Sequence, residues 1–198
     1  MKRIALAMVL LLVGAVVIYV AGARQGWFGT PPGPGAITGE PLPRATVLNR
    51  QTARAEAGAA VQATGTKHVM FGDFHVHTTY STDAFLWSLP MAGGRGVHPI
   101  GDACDFARYC SGLDFWGITD HAAASTPRRW NETKESLRQC QALAGDPEQP
   151  DLVSFLGFEW TQVGRLPTEH YGHKNVLFRD LDDDRVARRP IAAAGLTT

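Results

Sequence analysis

Three short apolar segments each end in histidine or a carboxylate, and this recurrence constrains the fold more than any other feature of the chain. Residues 68–77, 113–119 and 152–160 are rich in β-branched and aromatic side chains, which favours strands. A fourth strand is predicted over 173–178. The polar residues that end the first three strands are Asp73, His75 and His77, then Asp120 and His121, then Glu159.

Helical patterns lie between these strands. Residues 102–111 favour a helix, and Thr126 is a good N-cap for a helix that begins at Pro127 and runs to about Leu143. Gly145 then provides a stop signal. Strands that alternate with helices predict an α/β domain built on parallel strands, whose carboxyl ends lie at one edge and bind ligands there.

The first strand carries a spacing typical of a metal site. Asp73, His75 and His77 are two residues apart, so they share one face of a strand. Two imidazoles at this spacing can bind one ion, and Asp73 can orient one of them. Alone, a His-x-His pair is more often just two polar residues of a strand. The metal interpretation gains weight because imidazole or carboxylate groups also end the next two strands, and such mixed ligands suit zinc, manganese or iron.

Several of these residues also have a plainer interpretation. Asp120 could cap a turn, Glu159 could be a surface residue at a strand end, and His170 could lie in a solvated loop. His173, at the start of the fourth strand, is a further candidate ligand. Basic residues that could assist near the site are Arg95, Arg128, Arg129 and Lys174, although a solvated surface charge is the commoner role of such residues.

The N-terminus carries an uncharged, mostly apolar run from Ile4 to Gly22, directly after Lys2 and Arg3. A membrane span needs roughly 20 apolar residues, so the run predicts an anchor whose basic flank stays cytoplasmic and whose following chain is exported. A signal peptide cut after the small residues 21–23 is the alternative, and a buried core helix is the least favoured.

This organisation divides the chain into three parts. Residues 1–23 are predicted to be a signal anchor or signal peptide, and residues 24–66 a Gly/Pro/Ala-rich linker with a short helix within 44–66. Residues 67–198 are the predicted exported domain. Lys and Arg total 19, as do Asp and Glu, and this neutral balance argues against a nucleic-acid partner bound through bulk charge.

The three cysteines are too few for a domain built on disulfides. Cys104 and Cys110 lie six residues apart on a predicted helix and point in different directions, so they should not pair. A Cys110–Cys140 bridge between two helices is open in an oxidising compartment. Free buried thiols are the interpretation that we favour.

Four motifs occur in order along residues 66–180: FGDFHVHTTYSTDAF, LDFWGITDHA, FLGFEWTQ and HYGHKNVLF. They resemble the PHP (polymerase and histidinol phosphatase) superfamily of metal-dependent phosphoesterases, and more closely the exported PHP-like family known as domain of unknown function 3604. The resemblance implies a distorted (βα)7 barrel, here in part, with two or three divalent metal ions at the strand ends. By this resemblance His75 and His77 hold the first metal, Glu159 bridges the first and second, and His173 binds the second.

The resemblance also implies that Asp83 and His121 serve a third metal, and that Asp120 supports a ligand or accepts a proton. Members of the superfamily supply further ligands late in the chain, including a histidine and an Asp-x-His pair. No histidine follows His173 in this sequence. We therefore expect the chain to be the N-terminal part of a longer protein.

The expected function of the longer protein is metal-assisted hydrolysis of a phosphoester or another small molecule, with Asp120 and Glu159 as catalytic residues. The protein would face the periplasm or the extracellular side, either anchored or secreted after cleavage. Two alternatives remain: a non-catalytic exported module that binds a metal or ligand, and an amidohydrolase-type hydrolase, which uses similar clusters on a similar barrel.

Overall fold

The fold is mixed α/β, as a computed structural model of residues 2–27, 33–37, 39–63, 68–94, 96, 98–162, 164 and 166–192 shows. The helices are α1 (Lys2–Arg24), α2 (Arg44–Ala60), α3 (Thr82–Trp87), α4 (Ile100–Asp105) and α5 (Pro127–Ala142). The strands are β1 (Gly72–Val76), β2 (Phe115–Ile118), β3 (Val153–Gln162) and β4 (Gly172–Phe178). A π-helical turn, Phe106–Cys110, continues α4, and short 3-10 helices cover Pro90–Ala92, Ala122–Ala124 and Pro167–Glu169.

The four strands form one curled sheet, a half-barrel, in the order β1-β2-β3-β4. β1 pairs with β2, and β2 with β3, in parallel, as the alternation of strands and helices predicts. β4 runs antiparallel to β3, so the expectation of parallel strands is wrong for β4. A parallel return needs a crossover of about a dozen residues or more, usually a helix. The link from Gln162 to Gly172 is shorter, and its described residues contain one 3-10 turn.

The core lies between the sheet and the helices α4 and α5. Residues two apart on a strand share a face, and this face of β2 and β3 is fully or almost fully buried, with Trp116, Ile118, Leu156 and Phe158. Helix α5 packs Trp130 and Leu137 into the same cluster. Burial of each such side chain stabilises the fold by about 1.5–3 kcal/mol. This packing fixes the positions of β2 and β3, and therefore of the residues at their ends.

Helix α1 is long and apolar enough to cross a membrane, and it is the one such helix among the residues that the structure describes. Apolar side chains from Ile4 to Ile18 are exposed around it, which is typical of a surface meant for lipid. Helix α2 confirms the helix expected within 44–66 and lies against the domain. Arg54 of α2 forms an ion pair with Asp114 at 3.1 Å.

A disulfide joins α4 to α5. Cys104 and Cys140 form it, with Cα atoms 6.2 Å apart, and Cys110 is an exposed free thiol. The expectation of free buried thiols is wrong, and so is the alternative of a Cys110–Cys140 bridge. The sequence gives the spacing along one helix, but it does not show which face of that helix packs against α5.

Alkylation of the non-reduced full chain should therefore modify Cys110 alone. Tryptic peptides should reveal a Cys104–Cys140 crosslink by mass spectrometry, and reduction should release two further thiols. Alkylation of all three cysteines without reductant would contradict the pairing.

A buried ion pair supports the disulfide. The Arg108 side chain has no solvent exposure, and its Nε donates to both oxygens of Asp151, at 3.3 and 3.1 Å. Its Nη2 donates to the carbonyl of Cys140 at 2.7 Å. The guanidinium thus links the end of α4, the end of α5 and the loop before β3. Because both charges are out of water, loss of one leaves the other uncompensated.

We expect Asp151→Asn to lower the free energy of unfolding by about 3–5 kcal/mol, because the substitution keeps the shape of the side chain and removes only its charge. Denaturant unfolding of the full chain in mild detergent, followed by tryptophan fluorescence, measures the change. Asp182→Asn is the matched control, since Asp182 is 72% exposed and lies 4.0 Å from Arg185. Equal free energies of unfolding for the two variants would show that the charge of Asp151 does not stabilise the fold.

Candidate metal centre

Six polar side chains from separate segments meet at one edge of the sheet. Strands β1, β2 and β3 bring their carboxyl ends to this edge, whereas β4 brings its beginning because it runs antiparallel. Helix α3, which follows β1, adds one carboxylate. The six residues are His75, His77, Asp83, His121, Glu159 and His173, and all six are the predicted metal ligands.

The carboxylate of Glu159 is the centre of the cluster. Its side chain is 3% exposed. Its Oε2 lies 2.8 Å from Nε2 of His77, 3.3 Å from Nε2 of His75 and 3.6 Å from Nδ1 of His121. Its Oε1 contacts Nδ1 of His173. Four imidazoles therefore surround one buried carboxylate.

A second carboxylate, Asp83, faces two of the same imidazoles. Asp83 Oδ2 lies 3.1 Å from Nε2 of His121, and Asp83 Oδ1 lies 3.9 Å from Nδ1 of His77. Each of these rings thus has one nitrogen near Glu159 and the other near Asp83. A neutral imidazole carries one N–H, so it can donate to one of the two carboxylates but not to both.

A protonated imidazole could donate to both carboxylates, but protonation of His77 is disfavoured. Burial lowers the pKa of His77 below its ordinary value, and the nearby carboxylates of Asp120 and Glu159 offset this only in part. The Nε2 atom of His77 is buried and makes no hydrogen bond of acceptable geometry, although it lies 2.8 Å from Glu159. A buried imidazole nitrogen that lies this close to a carboxylate without a hydrogen bond to it fits a cation bound by both groups.

The surroundings of Asp83 favour the ionised form of its carboxyl group. Burial alone would raise the pKa of Asp83, but the backbone N–H of Ala84 at 2.8 Å and the imidazole of His121 outweigh it and hold the pKa below the ordinary value. Asp83 is therefore charged at neutral pH.

The donor atoms fall into three overlapping groups, and within each group they lie no more than 4.8 Å apart. The groups are His75, His77 and Glu159; His77, Asp83 and His121; and His121, Glu159 and His173. The shared members would place neighbouring ions side by side. Mixed nitrogen and carboxylate ligands suit zinc, manganese or iron, so the residues fit the implied metal cluster.

Asp120 lies beside the cluster but outside the three groups. Its oxygens accept hydrogen bonds from the N–H of Thr78 at 2.7 Å, the hydroxyl of Thr78 at 2.6 Å and the hydroxyl of Ser81 at 2.7 Å. Ser81 in turn accepts the backbone N–H of His121 at 2.9 Å. These contacts fix the turn that leads into α3. A catalytic role for Asp120 stays a prediction.

Asp73 orients backbone and not an imidazole, because its Oδ1 accepts the N–H of His75 at 2.8 Å. His170 is exposed at the end of a 3-10 turn and belongs to none of the three groups. The candidate basic residues are engaged elsewhere: Arg128 with Glu132, Arg129 over the ring of Tyr80, and Lys174 near the rings of Trp160 and Tyr171. Arg95 lies outside the described residues.

Thr161 is a site residue that sequence reasoning missed. Its hydroxyl lies 3.2 Å from Nδ1 of His121 and 3.1 Å from Nδ1 of His173. It follows Glu159 by two residues on β3, so both side chains share a face, and this spacing is the signal that could have identified it.

A cleft of about 1070 Å³ opens beside the cluster. His75 and His77 line it together with mostly apolar side chains, among them Val76, Phe106 and Leu113. A ligand held at the metal centre could therefore extend an apolar part into this space.

Comparison of the chain with known family models, with curated proteins and with solved structures finds no match.

We expect Glu159→Gln to lower the affinity for zinc or manganese by more than about 100-fold. Loss of a residue that only hydrogen-bonds a metal ligand lowers the affinity by roughly 10–100-fold. The amide keeps the size of the side chain and removes the charge that four imidazoles surround. Equilibrium dialysis of the full chain in detergent, with metal analysis, measures this effect. His170→Ala is the control and should bind metal as the unmodified chain does. Equal binding by both variants would reject the ligand assignment.

Proposed function

We propose that this chain belongs to an exported, membrane-anchored hydrolase of PHP type that uses two or three divalent metal ions to cleave a phosphoester. The observation that carries the proposal is the arrangement of four imidazoles around the buried carboxylate of Glu159, with Asp83 facing two of them. Packing alone does not explain this set of donors, because a buried carboxylate destabilises a fold unless positive charge or hydrogen-bond donors offset it.

Bound divalent ions would lower the pKa of a water molecule and neutralise negative charge on the leaving oxygen. The residues of this chain supply the frame for that chemistry. Glu159 holds negative charge out of bulk water, where its attraction for cations is strong. Thr161 lies between His121 and His173 and orients both rings.

The hydrogen bonds of Asp120 position two of the candidate ligands. Asp120 fixes Thr78 and Ser81, and Ser81 holds the backbone of His121. The turn held in this way starts α3, which carries Asp83. Asp120 therefore sets the separation of Asp83 and His121, which is 3.1 Å between their closest atoms. We assign it this positioning role, with proton acceptance as the alternative that the resemblance implies.

Two further observations support export. The Cys104–Cys140 disulfide is stable in an oxidising compartment and rare in the cytosol. Helix α1 has the length and composition of a membrane anchor or a signal sequence, and it follows two basic residues that would stay cytoplasmic. We place the domain on the periplasmic or extracellular side of the membrane.

A phosphoesterase assay on the full chain, loaded with manganese or zinc, tests the proposal. We expect hydrolysis of an aryl phosphate that stops when metal is chelated, that is lost in Glu159→Gln, and that is unchanged in His170→Ala. Metal binding without turnover of phosphate esters would favour the non-catalytic module. Hydrolysis of amides in place of phosphate esters would favour an amidohydrolase-type enzyme.

A further inference from the structure

The exported end of helix α1 packs against the domain. Ala23, Phe85 and Leu89 form a small buried cluster, and Tyr19 and Val20 pack against it. Phe85 lies on α3, and Leu89 follows that helix. The last two turns of the apolar helix are thus in contact with the segment that begins at Thr82.

These contacts fix the depth of that segment if α1 spans a bilayer. At 1.5 Å per residue, the helix rises about 22 Å from Ile4 to Tyr19 and about 28 Å from Ile4 to Ala23. The hydrocarbon core is about 30 Å thick, so the whole run is needed to cross it. Tyr19 therefore lies about 6 Å below Ala23, on the hydrocarbon side of the exported interface. The backbone N–H of Met91 donates to the Tyr19 hydroxyl at 3.2 Å, which places Met91 at a similar depth.

The surface at this depth is apolar. Leu86, Trp87 and Met91 are 41%, 74% and 61% exposed. No charged residue occurs between Ala84 and Gly94. Exposed tryptophan is typical of a membrane–water interface, where the ring is partly in lipid.

The first basic residue after the span fits the same picture. The guanidinium of Arg24 lies 4.9 Å from the ring centre of Phe85, at the end of α1 where lipid headgroups begin. Cation–π contact of this kind is favourable when the cation is partly desolvated.

We infer that the edge formed by Leu86, Trp87 and Met91 inserts into the lipid interface on the exported side of the membrane that α1 crosses. The partner is the lipid surface itself. This inference rests on the membrane anchorage proposed above and does not depend on hydrolytic activity. Since Asp83 lies on the same short helix as Trp87, the candidate metal centre would be held beside the membrane surface.

An environment-sensitive fluorophore tests the insertion. The full chain carries Cys110→Ser, so that no free thiol competes for the label, and Trp87→Cys is labelled with a nitrobenzoxadiazole maleimide. Gln139→Cys, on the exposed face of α5, is the matched control. The probe partner is a vesicle of phosphatidylcholine and phosphatidylglycerol, with and without a nitroxide near the glycerol end of the acyl chain.

We expect the label at position 87 to emit at a shorter wavelength than the control label and to be quenched several-fold more strongly by the nitroxide lipid. Met91→Cys should behave in the same way, and it serves if the first variant folds poorly. A water-like emission at both positions, in protein that stays with the vesicles after an alkaline wash, would overturn the insertion and leave the anchor in place. Release of the chain by the wash would overturn both the insertion of this edge and the membrane anchorage by α1.

Discussion

The buried charge of Glu159 is the constraint on which the rest of this structure depends. A carboxylate that is almost completely removed from water destabilises a fold by several kcal/mol unless positive charge or hydrogen-bond donors surround it. Here the surrounding groups are imidazoles from β1, β2 and β4, and the second carboxylate, Asp83, adds more negative charge. Each neutral imidazole can donate to only one of the two acids, and a cation bound between them would offset the negative charge of both.

The fold provides this arrangement through two devices. The parallel pairing of β1, β2 and β3 brings three carboxyl ends to one edge, and the antiparallel β4 adds His173 from its beginning. Asp120 then ties the turn after β1 to the residue after β2, through Ser81. The candidate ligands are thus held by backbone and buried polar contacts, with the helix-covered face of the sheet as a rigid support.

The helices around the sheet are joined to one another and to the candidate metal centre. The Cys104–Cys140 bridge and the Arg108–Asp151 pair join α4 to α5 behind the sheet. Helix α1 contacts α3, which carries Asp83, so the same short helix joins the apolar helix to the candidate metal centre. These features are compatible with a membrane anchor or signal sequence and with metal binding at the sheet edge.

The sequence by itself determined the elements and the candidate ligands. Apolar runs, β-branched and aromatic composition and the cap of α5 placed α1, α5 and the four strands to within a few residues. Histidines and carboxylates beside the strands identified five members of the cluster, and the family resemblance added Asp83. Tertiary structure decided what local patterns do not encode: the direction of β4, the Cys104–Cys140 pairing and the bridging position of Thr161. The reason is physical, because each of these depends on which faces of distant segments pack together, and packing is settled by the core as a whole.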